Sequence, residues 1–306
     1  MMMRDKICTR SLIFHFAVVL LPSLTKSEDG KVAVLFRGET FRENSTQTSR
    51  TNGIRGFADQ KRACLSHVEQ IFLPLVFDMN YSRVDVFLET RQTPLFSHLL
   101  QWYGPYIKHM SHALSEYGTE ATPFARVQKI LWGDEYTALL LIRPDLILSP
   151  LFGCSLAAAN RSKLMFSFRE WKNGDTVEHD GTLYDRVADM MIWVPQQHFR
   201  RLWSSTNASM VAETFDDILF RRTWVQHDAM RYLVPVLGKE ALGYIFPYGQ
   251  YDSDPQKQPN PLYTLATRPT NPNRGGPAND ELSANAFNHT CATLTKQLLA
   301  PSLLQT

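Results

Sequence analysis

The feature that most constrains the fold is an uninterrupted aliphatic run, residues 138–142, which passes directly into Arg143-Pro144-Asp145. A run of this length is typical of a strand covered on both faces, as in a parallel sheet. Pro144 cannot donate a ladder hydrogen bond, so regular pairing is expected to stop there. Ligands of open α/β sheets bind beyond the carboxyl ends of the strands, which is where Arg143 and Asp145 would lie. The alternative is a strand end closed by a surface Arg–Asp ion pair.

Strands and helices alternate around this run. Apolar and β-branched runs predict strands at residues 31–36, 82–90, 163–168 and 190–194, with a short buried element at 241–246. Helical spacing of apolar residues predicts helices at 64–75, from Pro94, at 122–132 and around 215–233. We expect the first helix to end or kink at Pro74, and residues 169–184 to form a loop. The alternation predicts an α/β fold with a mainly parallel sheet and helices on both faces.

The two ends of the chain differ in composition from its centre. Residues 1–27 place three cations before an apolar stretch and finish with Thr25-Lys26-Ser27. This pattern predicts a cleaved signal peptide, with a short signal anchor as the alternative. Residues 28–252 hold the predicted α/β domain. Residues 253–306 are rich in Pro, Asn and Gly, which predicts a tail that packs on the domain or is partly disordered.

Charge and cysteine usage narrow the class of protein. The formal net charge is +2, but without residues 1–27 the chain carries 28 Lys and Arg against 29 Asp and Glu. A near-neutral chain without a Lys/Arg-rich run gives no electrostatic footprint for nucleic acid. After Cys8 in the predicted signal, three cysteines remain, enough for one disulfide of undetermined pairing and one free thiol: Cys64, Cys154 and Cys291. Their spacing does not suit a zinc site.

Five Asn-x-Ser/Thr sequons come after the predicted signal, about twice the number expected by chance. They begin at Asn44, Asn80, Asn160, Asn207 and Asn288. This excess favours a glycosylated chain in the lumen of the secretory pathway, either in the ER or Golgi or secreted.

A second candidate ligand site lies after the first predicted strand. Arg37-Gly38 lies at its end, and Arg42 comes five residues after Arg37. Glycine allows close approach of a ligand to the backbone, and arginine can bind diphosphate through two parallel hydrogen bonds. The alternative is a solvated turn. Neither a Gly-x-Gly-x-x-Gly fingerprint nor a phosphate-binding Gly-x-x-x-x-Gly-Lys-Ser/Thr motif is present, which argues against dinucleotide oxidoreductases and phosphate-loop kinases.

Two later groups carry candidate acids and bases. Asp185 and Asp189 would share one face of a helical turn, where either could bind a sugar hydroxyl, ligate a hard cation or act as a base. His227, next to Asp228, could accept a proton or bind a metal. Capping, surface and structural roles are the alternatives for these residues. A Ser/His/Asp hydrolase is poorly supported because no Gly-x-Ser-x-Gly elbow occurs.

The ordered set of these motifs resembles a known class of enzymes. Residues 32–38 (VAVLFRG), 141–146 (LIRPDL) and 185–190 (DRVADM) together resemble secreted or Golgi-type glycosyltransferases of the nucleotide-sugar class. Their Rossmann-like glycosyltransferase-A fold usually has Asp-x-Asp where this chain has Arg143-Pro144-Asp145. The resemblance implies that Asp145 helps to hold Mn²⁺ or Mg²⁺, and that Arg37 and Arg143 contact the phosphate or donor sugar. Because Arg143 replaces a carboxylate, the metal would have fewer protein ligands or be absent.

The sequence therefore predicts a lumenal glycosyltransferase that moves a sugar from a nucleotide-sugar donor to a glycan or protein hydroxyl. Arg37, Gly38, Arg42, Arg143, Asp145 and Asp185 are the predicted donor-binding residues, and Asp189 and His227 the predicted catalytic residues. Membrane association is expected only if the N-terminal segment is an uncleaved anchor. The alternative is a secreted, noncatalytic carbohydrate- or protein-binding module on the same fold.

Overall fold

The structure, a computed structural model, describes residues 29–38, 40, 54–90, 94–111, 130, 133, 135–170, 176–179, 181–188, 191–204, 229–249 and 262–265. The strands in these ranges are β1 (Asp29–Arg37), β2 (Tyr81–Glu89), β3 (Ile107–Ser111), β4 (Tyr136–Ile142), β5 (Leu146–Leu148), β6 (Leu164–Glu170), β7 (Thr176–His179), β8 (Thr182–Asp185), β9 (Met191–Pro195), β10 (Leu242–Gly249) and β11 (Tyr263–Leu265). The helices are α1 (Ile54–His67), α2 (Phe96–Tyr103), α3 (Pro150–Ala158), α4 (Gln196–Ser204) and α5 (Met230–Leu237).

Seven of the strands form one mixed sheet in the order β10-β6-β9-β4-β1-β2-β3. Only β9 is antiparallel to its neighbours, β4 and β6; the other adjacent pairs in this sheet are parallel. Two further pairs of the described strands, β5 with β11 and β7 with β8, are antiparallel and lie outside the main sheet. The seven-stranded sheet confirms the predicted Rossmann-like α/β class with a mainly parallel sheet.

Strand β1 lies in the interior of the sheet, between β4 and β2, and both of its faces are apolar. Val34 pairs with Val86 of β2 on one side and with Leu140 of β4 on the other. Val32, Val34 and Phe36 pack into a core shared with α1, α2 and α3. Ala33 and Leu35 face a second core, to which α4 and α5 contribute. The helices therefore cover both faces of the sheet, as predicted from the unbroken apolar strands.

Two local predictions need correction. Of the two outcomes expected at Pro74, an end or a kink of the first helix, the end is wrong: after His67 the helix continues through π-helical turns at Val68–Phe72 and Pro74–Asp78. The wider turn accommodates a residue that lacks a backbone N–H, and the Met79 N–H closes it on the Pro74 carbonyl at 2.9 Å. The stretch 169–184 is also not a simple loop, because β6 extends to Glu170 and β7 pairs with β8. Gly181, at φ +74°, supplies the left-handed residue that this hairpin turn needs.

Part of the region after residue 252 packs on the domain. Strand β11 pairs with β5, directly after Asp145, and the Leu262 carbonyl accepts a hydrogen bond from the Ser149 N–H at 2.8 Å. The domain boundary itself stays a prediction. Apart from Ile130 and residues 229–233, the predicted helices at 122–132 and 215–233 lie outside the described residues. None of the described helices is both long enough and apolar enough to cross a membrane.

One buried carboxylate gives a direct test of the sheet packing. Asp85 of β2 is fully buried and accepts hydrogen bonds from the Tyr136 hydroxyl at 2.7 Å and from Arg83 Nε at 2.5 Å. Burial, together with this hydrogen bond, raises the pKa of the Tyr136 hydroxyl, which therefore stays a donor at neutral pH. We expect Tyr136→Phe to lower the free energy of unfolding by about 1–3 kcal/mol in urea titrations, because Asp85 loses a donor.

The matched control for this prediction is Tyr106→Phe. The Tyr106 ring packs on Phe72 with centroids 4.7 Å apart, and its hydroxyl has no hydrogen-bond partner among the described residues. This change should leave the urea midpoint nearly unchanged. Equal effects of the two substitutions would contradict a specific role for the bond to Asp85.

Candidate functional site

The predicted ligand residues Arg37, Gly38, Arg143 and Asp145 meet at one edge of the sheet. Strands β1, β2 and β4 are parallel, so their carboxyl ends reach the same edge. Arg37 pairs with Glu89, the last residue of β2, and the Gly38 N–H donates to the Glu89 carbonyl at 3.2 Å. This register confirms the prediction that the strands ending at Arg37 and before Arg143 finish side by side.

Glycine is required at position 38 for two reasons. Its φ of +143° lies in a region that residues with a side chain rarely adopt. A Cβ atom there would also lie 3.1 Å from Cδ of Pro144, so the loop after β1 packs closely against the turn after β4. The backbone of Gly38 and the Arg143-Pro144-Asp145 turn therefore form a single surface.

Arg143 and Asp145 form a bidentate ion pair. Arg143 Nε donates to Asp145 Oδ1 at 2.9 Å, and Arg143 Nη2 donates to Asp145 Oδ2 at 2.5 Å. The pair is not a surface pair: the Asp145 side chain is 3% exposed, whereas the Arg143 side chain is 22% exposed. The carboxylate thus lies beneath the edge and holds the guanidinium in one orientation, and the guanidinium is the member that reaches solvent.

The described residues do not fit a divalent metal at Asp145. Both carboxylate oxygens accept hydrogen bonds from Arg143, and a cation placed beside them would be repelled by the guanidinium. Within the described ranges, no group of three or more His, Cys, Asp or Glu residues could hold a metal ion. We therefore assign no step of the chemistry to a metal at this edge.

Asp185 belongs to a separate cluster near the end of β6. Its Oδ1 lies 3.0 Å from Arg169 Nη2, and its Oδ2 accepts a hydrogen bond from the Tyr244 hydroxyl at 3.1 Å. Strand β6 is two positions from β4 in the sheet, which separates the two strands by about 10 Å. Asp185 also ends a strand, not a helical turn, so the premise that placed it on one helical face with Asp189 is wrong. Arg42, Asp189 and His227 lie outside the described residues.

Sequence reasoning missed three polar residues of α1 that contact the segment after β4. Gln60 Nε2 donates to the Pro144 carbonyl at 2.8 Å, and Ser66 Oγ accepts a hydrogen bond from the Leu148 N–H at 2.9 Å. His67 lies beneath Asp145 and interacts with it electrostatically. Gln60 lies four residues before Cys64 and His67 three residues after it, so all three share one buried stripe of α1. Two polar residues on this apolar stripe were the signal in the sequence that could have identified the contact.

His67 is a neutral, buried imidazole. Its ring centroid lies 4.6 Å from that of Phe36, and its Nδ1 lies 2.8 Å from the Tyr103 hydroxyl oxygen. Burial lowers the pKa of His67 from 6.5 to about 3, against weaker opposing effects that include the charge of Asp145. Burial likewise raises the pKa of the Cys64 thiol to about 11, so this cysteine is not a nucleophile at neutral pH.

Two clefts elsewhere on the described surface contain none of the predicted site residues. The larger, about 680 Å³, lies at the amino ends of β2 and β4 and includes Tyr81, Arg161 and Gln197. The smaller, about 240 Å³, lies between the π-helical turns and α3. Stretches 41–53, 91–93 and 171–175, which follow β1, β2 and β6 in the sequence, lie outside the described residues. The candidate site is therefore identified by the residues that converge at this edge of the sheet and not by a cleft.

No protein-family model and no curated protein matches the sequence. Among solved structures, the chain is similar to the inositol-1-phosphate CTP transferase from T. maritima, at 11% identity over 86% of this chain and 98% of that chain, with a TM-score of 0.42. It is similar to the glycosyltransferase GlyE of Streptococcus pneumoniae TIGR4, at 12% identity over 88% of this chain and 62% of that chain, with a TM-score of 0.35.

A third similar structure is the galactosyltransferase LgtC in complex with donor and acceptor sugar analogues. Its identity is 11% over 88% of this chain and 96% of that chain, with a TM-score of 0.38. These are loose similarities of chain trace, and the chemistry of the site is argued from its own side chains.

The buried state of His67 gives a pH prediction. Since folding lowers the pKa of His67, the unfolded chain binds its proton more tightly than the folded chain does. The contribution of neutral His67 to stability is therefore complete above about pH 6.5 and is lost as the pH falls toward 3. We expect His67→Gln, which does not titrate, to make the free energy of unfolding less dependent on pH between 6.5 and 4. Equal pH slopes for the two proteins in urea titrations would contradict this state of His67.

Proposed function

We propose that this protein is a glycosyltransferase of the glycosyltransferase-A type that transfers a sugar from a nucleotide-sugar donor to a hydroxyl of a glycan or protein. The supporting observation is the position of Arg37-Gly38 and Arg143-Pro144-Asp145 in the sheet. From β1 the chain proceeds to β2 and β3 on one side, and β4 then lies on the other side of β1. Open α/β sheets bind their ligands at this reversal of strand order, and both motifs lie there.

In the proposed complex, Arg143 contacts the diphosphate of the donor. Asp145 fixes the guanidinium from beneath, so the contact is made by a preorganised cation. Arg37 is a second cation at the neighbouring strand end, and Gly38 lets the ligand approach the backbone. When the bond between the anomeric carbon and the diphosphate breaks, negative charge develops on the leaving group, and these arginines stabilise it.

The acceptor hydroxyl must lose a proton during transfer. Asp189 and His227 remain the proposed bases because of their residue types and their positions in the sequence. Asp185 is not placed with the donor, because it pairs with Arg169 two strands away from β4.

The central test compares two Arg-x-Asp pairs in the same protein. Arg83 and Asp85 have the same spacing as Arg143 and Asp145, and Arg83 Nε also donates to its carboxylate, at 2.5 Å, but at a site within β2. We expect Arg143→Met to weaken binding of UDP or GDP by at least about tenfold, the loss of one charge-assisted hydrogen bond. Arg83→Met should leave nucleotide affinity within about twofold of wild type, measured by isothermal titration calorimetry.

An activity panel separates an enzyme from a binding module. Wild-type protein is tested with a panel of nucleotide-sugars for donor hydrolysis and sugar transfer. The absence of turnover and of any thermal shift with nucleoside diphosphates would refute the proposed function. If the wild-type protein binds glycans but shows no turnover, and Asp145→Asn leaves glycan binding unchanged, the protein is the noncatalytic binding module.

A lumenal, glycosylated state of the chain is also part of the proposal. Cys154 is disulfide-bonded, and disulfides persist in oxidising compartments. Asn80 and Asn160 and the serines of their sequons are exposed. Asn160 Oδ1 accepts hydrogen bonds from Ser162 N–H at 3.1 Å and from Ser162 Oγ at 2.7 Å, a turn that leaves the sequon at the surface.

Glycosylation at Asn160 can be tested with paired substitutions. We expect the full chain, expressed in eukaryotic cells, to gain mobility on a gel after treatment with peptide-N-glycosidase. Ser162→Ala should remove one glycan, whereas Ser162→Thr keeps the sequon and should retain it. Identical mobility of all forms before and after treatment would contradict the lumenal state.

A further inference from the structure

The turn Arg143-Pro144-Asp145 accepts a hydrogen bond from an amide side chain of helix α1. The side chain of Gln60 is buried in α1, and its Nε2 donates to the Pro144 carbonyl at 2.8 Å. This carbonyl lies just past the last residue of β4, so the turn leaves the sheet ladder at this point. Gln60 therefore supplies, from another element, the hydrogen bond that regular strand pairing no longer provides.

The ring of Pro144 is packed closely against the loop after β1. A Cβ atom at Gly38 would lie 3.1 Å from Pro144 Cδ and 3.6 Å from its Cγ, so little free space remains between the two. Gln60 and Gly38 thus approach the same residue, Gln60 at its carbonyl and Gly38 at its ring. A shift of Pro144 would change the position of Arg143 relative to Arg37, the two cations of the candidate donor site.

The contact between α1 and the turn is specific. Gln60 Nε2 also lies 3.6 Å from Cys64 Sγ, a second polar atom on the same buried stripe. One turn further, Ser66 Oγ donates to the Ala63 carbonyl at 2.7 Å and accepts from the Leu148 N–H. Buried polar groups in an otherwise apolar interface favour one register of packing over others, because every alternative leaves a donor or acceptor unsatisfied.

We infer that Gln60 is a positioning residue: it fixes the position of the Arg143–Asp145 pair relative to the Arg37-Gly38 loop. Through this position it determines the affinity of this edge of the sheet for a nucleoside diphosphate. The inference rests on the proposed function for its ligand and on the described contacts for its geometry. Gln60 itself does not touch the ligand; it acts through the Pro144 carbonyl.

The first variant removes the donor without adding charge. Gln60→Leu should speed amide hydrogen exchange in residues 143–148, leave exchange in β1 and β2 unchanged, and weaken UDP binding by about tenfold, the effect of one buried hydrogen bond. The matched control is Gln70→Leu, a half-buried glutamine on the same helical segment that faces Gly153 of α3. Should Gln60→Leu fail to fold, Gln60→Asn, whose amide is too short to reach Pro144, takes its place.

The second variant makes the hydrogen bond depend on pH. Gln60→Glu places a carboxyl group whose pKa burial raises; protonated, it donates to the Pro144 carbonyl, and ionised, it cannot. Among the described titratable and charged groups, Cys64 contacts Gln60 directly, Tyr103 of α2 interacts with Cys64, His67 follows on the same buried stripe of α1, and Arg143 and Asp145 flank the Pro144 carbonyl. Because the pKa of Cys64 is raised to about 11 and that of His67 is lowered to about 3, neither changes charge between pH 5 and 8. Relative to wild type at each pH, Gln60→Glu should bind UDP weakly at pH 8 and recover at pH 5.

The outcomes separate this inference from the proposed function. If wild type binds UDP and Gln60→Leu binds it equally well, the positioning role is refuted, whatever happens to hydrogen exchange. If exchange in residues 143–148 does not change in Gln60→Leu, it is refuted on structural grounds as well. If the wild-type protein binds no nucleoside diphosphate, the proposed function fails, and so does the ligand named here. Amide hydrogen exchange in residues 143–148 would then still test whether Gln60 holds the turn.

Discussion

The arrangement of the candidate site depends on the parallel pairing of β1 with β2 and β4. Because β1 is apolar on both faces, it is stable only where helices cover both sides of the sheet, and this places it in the interior of the sheet. The register that pairs Val34 with Val86 and Leu140 then carries Arg37, Glu89 and the turn after Ile142 to one edge. A slip of one residue in either pairing would direct the alternate side chains of β1 into the wrong core and move Gly38 away from Pro144.

The parts of this arrangement that depend on local pattern could be predicted from the sequence. The aliphatic runs identified β1 and β4, and the rule that parallel strands end at one edge predicted that Arg37 and Arg143 would meet. The role of Gln60 could not be predicted in the same way, because its partner is a carbonyl 84 residues away in the sequence. The hairpin of β7 and β8 was missed because its polar stretch is typical of a loop, and the pairing energy of Thr176 to Asp185 is invisible in composition.

Spacing alone does not distinguish the two Arg-x-Asp pairs. Arg83-Val84-Asp85 and Arg143-Pro144-Asp145 have the same Arg-x-Asp pattern, and in both pairs the arginine donates Nε to the aspartate. The two pairs differ in their place along a strand: β2 continues past Asp85 to Glu89, whereas β4 has ended before Arg143. The first pair stabilises the interior of the sheet with help from Tyr136, and the second closes a strand end at the edge. The proline at position 144 is the sequence feature that distinguishes them, since it forbids continued pairing.

The unequal burial of Arg143 and Asp145 assigns them different roles. A buried carboxylate that loses its cation is left uncompensated at high cost, so Asp145 must keep Arg143 close in every folded state. The imidazole beneath it is neutral and supplies no competing charge, because burial keeps the pKa of His67 far below neutral pH. A ligand at this edge therefore meets the outward side of a guanidinium whose orientation is already fixed. Asp145 neutralises part of the positive charge of Arg143, and an anionic ligand would neutralise more of it. Diphosphate suits such a position better than a divalent cation does, since the cation would have to displace Arg143 from both oxygens of Asp145 before it could bind.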